Sequence, residues 1–108
     1  MGHYLIQASY SKEGIGQLLS NPQDRAAAVR PVVEGLGGKI ESFYFAFGEH
    51  DAIVVVELPD NVSAAALAMA VGGSAGISSY KTTPLLTMDE AMEAMRKASG
   101  TGYRSPAG

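Results

Sequence analysis

His50 and Asp51, with Glu49 immediately before them, put an imidazole and two carboxylates into one short turn. An imidazole titrates near neutrality, so it can pass a proton while a neighbouring carboxylate orients it. A solvated hairpin turn calls for the same polar residues, and Asp51 can instead bond the turn's own amides. Tyr10, Tyr44 and Tyr80 form a second constellation. Each falls in a strand-like segment, where phenols directed at one cavity would give an apolar wall with hydrogen-bonding handles. His3 is the only other imidazole. No His-x-x-x-His or other compact ligand spacing occurs, so no metal is expected. Gly14 and Gly16 follow the first strand-like segment, but the full Gly-x-Gly-x-x-Gly spacing is absent and no nucleotide or other cofactor is expected. Ser42, Ser78 and Ser79 lack a visible histidine and acid, which leaves a serine triad unsupported. Lys81 and Glu57 are expected to pair across neighbouring strands.

The elements that must hold these groups follow from periodicity. Residues 4–10 alternate Tyr4, Ile6, Ala8 and Tyr10 against His3, Leu5, Gln7 and Ser9, a first strand. Ser11 caps a short helical turn carrying Ile15, Leu18 and Leu19. Asn21-Pro22-Gln23-Asp24 then opens a longer helix with Ala26, Val29, Val33 and Leu36 at helical spacing and a potential bend at Pro31. Residues 39–47 alternate Glu41, Phe43, Phe45 and Phe47 with Ile40, Ser42, Tyr44 and Ala46, giving one aromatic side. The turn at 48–51 joins this strand to the strongly apolar 52–58, and the two pair antiparallel. An alanine-rich helix over 62–71 ends at Gly72-Gly73. A polar strand over 77–83 reads as a sheet edge. Thr87-Met88-Asp89-Glu90 is a capping box for a last helix with a Met88, Ala91, Met92 and Met95 stripe.

With 108 residues, 46 % of them apolar and 18 % charged, the chain suits one compact domain over 1–99 followed by a loose tail over 100–108. Eight basic residues against eleven acidic ones leave a formal charge of −3, which offers no surface for a nucleic-acid backbone. The absence of cysteine removes disulfides, thiolate nucleophiles and sulfur-based metal sites. No apolar run is long enough to span a membrane, and no signal-like segment opens the chain, so a cytoplasmic location is expected.

The order strand, helix, strand, strand, helix, strand, with an additional C-terminal helix, fits an α+β ferredoxin-like split β-α-β sandwich. The run Gly37-Gly38-Lys39-Ile40-Glu41-Ser42-Phe43-Tyr44-Phe45-Ala46-Phe47-Gly48-Glu49-His50-Asp51, then Pro59-Asp60-Asn61 and Thr82-Thr83-Pro84-Leu85-Leu86-Thr87, resembles the small bacterial GYD-domain proteins over about the first 95 residues. The resemblance implies a ferredoxin-like domain that assembles through its sheet, and it implies no particular activity. Members usually carry Tyr just before the Asp, where this chain has His50.

Helices on one face of such a sheet leave the other face bare, and both faces of the 39–47 strand carry groups that want cover. The expected assembly is a homodimer closing as a dimeric α/β barrel. Its alternative is a monomer sealed by the last helix, which could equally be swapped onto a neighbour. The leading functional expectation is a homo-oligomer that binds a small apolar or aromatic ligand at the sheet interface. A cofactor-independent oxygenase or isomerase is the alternative, with His50 as proton shuttle, Asp51 as its orienter and Tyr44 or Tyr80 holding the substrate oxygen. A structural protein without ligand is the third reading.

Overall fold

A computed structural model describes residues 1–107. Alternating burial defines two central strands, β1 (Gly2–Tyr10) and β3 (Ala52–Leu58). They pair antiparallel, with Ile6 opposite Val54 and Tyr4 opposite Val56. β2 (Lys39–Phe45) pairs with the far side of β3, and β4 (Ile77–Leu85) with the far side of β1, giving the order β2-β3-β1-β4. α1 (Lys12–Ser20) and α2 (Arg25–Gly35) connect β1 to β2, α3 (Asn61–Gly72) connects β3 to β4, and α4 (Met88–Ser99) follows β4.

One face of the sheet carries the core. Tyr4, Ile6 and Ala8 of β1 and Ala52, Val54, Val56 and Leu58 of β3 are buried with Val33 of α2 and Ala64 and Leu67 of α3. Period-two alternation sends the intervening Leu5, Gln7, Ile53, Val55 and Glu57 to the opposite face, where they are half-buried. This is the ferredoxin-like α+β arrangement of a four-stranded antiparallel sheet with helices on one side.

The expected dimeric α/β barrel is corrected by the topology. The sheet is open, and β2 and β4 are its edges. A barrel requires the end strands to find ladder partners, and here β4 carries Pro84, a residue that sheets admit at an edge.

Four local departures from the sequence reading follow from the register and the caps. A register shift between Ile40 and Ser42 makes Glu41 the extra residue of a bulge, so Ile40, Phe43 and Phe45 share the helix-side face while Tyr44 points away. The strand stops at Phe45, leaving Phe47 almost wholly exposed. The second helix takes Asp24, not Asn21, as its cap: the Asp24 carboxylate accepts the Ala26 and Ala27 amides, and Pro31 lies within the helix. Lys81 and Glu57 do not pair, because β1 lies between their strands; Lys81 faces Gln7, and the Lys39 ammonium lies 3.6 Å from Glu57.

Candidate functional site

α1 begins where Ser11 caps it, its hydroxyl accepting the Gly14 amide at 3.0 Å. The Ser11 amide donates to the Gly76 carbonyl at 2.8 Å, which pins this start to the loop before β4. A side chain at Gly14 would collide with the Gly76 carbonyl, so this glycine serves close backbone packing. The anchored α1 and its loop into α2 stand over the end of β2. Between them lies a cleft of about 400 Å³ lined by Ile15, Leu18, Pro22, Phe43 and Phe45, with Gln23, Arg25 and the helix-capping Asp24 at its polar side.

Arg25 and Phe43 also border a narrower cavity of about 50 Å³ beneath the helices, whose walls include Tyr10, Val29, Val71 and Tyr80. The two spaces adjoin through these shared residues. The Tyr10 and Phe45 rings stack at 6.1 Å between centroids and 12° between planes. Arg25 is held by its neighbour, its Nη1 donating to Gln23 Oε1 at 2.7 Å. Tyr80 is the titratable wall of the inner cavity: burial pushes its hydroxyl up to about 12, and the Thr82 hydroxyl works against that shift.

The structure therefore brings Tyr10 and Tyr80 together and sends Tyr44 to the other face, where it is 70 % exposed. The phase change at the bulge separates them. His50 lines neither space, and its buried Nδ1 has no hydrogen-bond partner. The Asp51 carboxylate is occupied: it accepts the Tyr10 amide at 2.9 Å. Arg25 and Phe43 are the groups the tyrosine and histidine reading passed over. The aromatic alternation of β2 pointed to Phe43, whereas Arg25 became a site residue only through the true start of α2.

On the opposite face His3 Nδ1 lies 3.0 Å from Glu41 Oε1, and Glu57 stands close enough for the three to surround a cation. Residues 3, 41 and 57 reach one another through strand pairing, which ligand spacing in the sequence does not register. The Lys39 ammonium already supplies positive charge beside Glu57, and the set forms a polar network on the sheet face.

An antiparallel β2-β3-β1-β4 sheet with its helices on one face defines a ferredoxin-like α+β domain. The GYD domain model matches residues 4–95, and the chain belongs to that family. A solved structure, "crystal structure of FFRP-DM1", is similar at 18 % identity and a TM-score of 0.45, covering 80 % of this chain and 100 % of that one. No curated protein matches the chain. No helix among the described residues is long and apolar enough to cross a membrane.

Proposed function

We propose that this GYD-domain protein is a self-associating binding module, and that the helix-side cleft takes a small aromatic or apolar ligand. The observation that carries the reading is the cleft itself. Its volume of about 400 Å³ falls among small-ligand sites, and its walls are apolar with few polar groups. A flat ring lying on Phe43 and Phe45 would set a hydrogen-bond acceptor or acidic substituent toward Arg25, with the Tyr10 and Tyr80 cavity beneath it. The ligand then sits within one subunit, under α1 and α2, and not between two sheets. The catalytic alternative finds less support, because Asp51 is committed to a backbone amide and His50 borders neither space.

Thermal-shift measurements across small aromatic acids, phenols and quinones test this reading. A ligand at a hundredfold excess over Kd adds about 2.7 kcal/mol of apparent stability. Phe45→Ala, at a largely exposed position, should reduce the shift while leaving the unliganded Tm close to that of the native chain. A panel that moves Tm for neither protein, or equally for both, would remove the cleft as the site.

A further inference from the structure

α4 is capped at its start by Thr87 and Glu90, which exchange hydrogen bonds of 2.9 and 3.1 Å in a full capping box. It carries acidic residues in its first turn and basic ones in its last. A helix of 12 residues is nonetheless marginal in water unless an amphipathic face is packed. This one buries no residue, and its stripe lies open: Met88 is 75 % exposed, Met92 48 % and Met95 64 %. A compact chain of this length has a radius of gyration of about 13 Å, and this chain measures 17.3 Å. It presents 7278 Å² to solvent, about 1,600 Å² more than a compact monomer of its mass. The exposed residues 100–107 carry part of that excess and α4 another, and α4 laid on a sheet face in each of two subunits would bury an area of the size stable interfaces show.

The surface that could receive the stripe is the helix-free sheet face. Leu5, Ile53 and Val55 form its half-buried apolar centre, Lys39 and Lys81 contribute positive charge, and Glu41 and Glu57 negative charge. α4 offers the matching features: a methionine stripe, whose flexible side chains adapt to a flat sheet, flanked by Asp89 and Glu93 and by Arg96 and Lys97. Its own sheet leaves the stripe open, since α4 leaves β4 after Leu86 and Thr87, only Ala91 of the helix is half-buried, and the three methionines stay exposed.

We infer that α4 is an exchange arm: it lies across the open sheet face of a second copy of this chain, whose own α4 lies reciprocally across the first. This names the partner surface of the self-association proposed above and rests on that reading. The two-fold exchange is closed, each chain using one arm and one face, and it covers the open face without joining sheet edges.

Sedimentation of the full chain, of the double variant Met92→Glu and Met95→Glu, and of Val62→Glu on exposed α3 tests the arm. The native chain and Val62→Glu should be dimers at micromolar concentration. Two carboxylates set into the interface should weaken the dimer by about 100-fold or more. Both methionines are exposed in the protomer, so an unchanged far-UV spectrum of the sheet will verify that the variant folds. A monomeric native chain sinks self-association and the arm together. A native dimer that survives both glutamates, or that Val62→Glu also dissociates, sinks the arm alone. The chain has no cysteine, so Arg96→Cys can carry a benzophenone photo-crosslinker. Adducts on β1 or β3 of an isotope-labelled second copy support the exchange, and adducts confined to the other α4 overturn it.

Discussion

The Asp51 carboxylate accepts the Tyr10 backbone amide at 2.9 Å, while the Asp51 amide donates to the Ala8 carbonyl at 2.9 Å. One residue thus ties the β2–β3 turn to the end of β1, and its own carbonyl accepts the Ala46 amide at 2.6 Å on the other side. Tyr10 is held where its ring stacks on Phe45, so the clamp supports a wall of the cleft.

Asp51→Ala removes the side-chain acceptor and leaves a half-buried amide unsatisfied, which should cost about 1–3 kcal/mol in urea unfolding. Asp51→Asn keeps an acceptor oxygen at the same reach and should recover most of that loss. Equal losses in the two variants would mean that the charge, and not the hydrogen bond, is what the turn requires.

Much of this architecture is readable from residue patterning. Tyr4, Ile6 and Ala8, then Ala52, Val54, Val56 and Leu58, alternate because one sheet face is buried, and that period survives folding unchanged. Thr87 and Glu90 announce their helix because a capping box is a local interaction. The Glu41 bulge is a different matter. Nothing in the spacing of Ile40 and Phe43 reveals that one residue is extra, so a constant period assigns Ile40 to the wrong partner set and groups Phe47 with a strand it does not join. Asn21 and Asp24 are both good caps three residues apart, and only the packed loop decides for Asp24. Arg25 and the cleft depend on that decision. The open sheet likewise depends on strand geometry that face-by-face polarity does not encode.

The Asp60 carboxylate caps α3 by accepting the Ser63 amide at 2.8 Å, and bonds from the Ser63 backbone and side chain hold its pKa below the ordinary value of 3.8. A carboxyl with a depressed folded pKa stabilises above its unfolded pKa, and this contribution is lost as pH falls through the folded value. α3 should therefore fray in acid below the usual aspartate range. Asp60→Asn retains a capping oxygen and should flatten this part of the pH profile in hydrogen-exchange or unfolding measurements. A variant whose acid limb matches that of the native chain would show that other carboxylates set it.

Tyr80 gives the opposite limb. Its hydroxyl, pushed up to about 12 by burial, stays neutral in the fold after an unfolded tyrosine has ionised near its ordinary value of 10.0. The stabilisation is fully present below the unfolded value and declines as pH rises through the folded one, so alkaline unfolding should steepen between these limits. Tyr80→Phe should remove that slope and the highest-pH step in tyrosinate absorbance. If a small aromatic ligand occupies the adjoining cleft and deepens the burial of Tyr80, the same step should move further up on binding.

Gly38 and Gly16 supply a paired test of backbone packing. A Cβ at Gly38 would collide with the Glu57 carbonyl and press on the Leu58 side chain, whereas one at Gly16 meets nothing within 4 Å. Leu58 is fully buried, and the Gly38 amide donates to the Val33 carbonyl at 3.0 Å, so neither side of that contact can retreat without opening the core. Gly38→Ala should therefore destabilise by at least the 1–3 kcal/mol typical of about one methylene of overpacking. Gly16→Ala, inside α1 and clear of neighbours, should stabilise by about 0.5–1 kcal/mol because the unfolded chain loses freedom and the helix gains propensity. Because α1 forms one side of the cleft, Gly16→Ala should also leave ligand-induced thermal shifts undiminished; a loss of those shifts with fold intact would mean that the cleft must flex through α1 to admit its ligand.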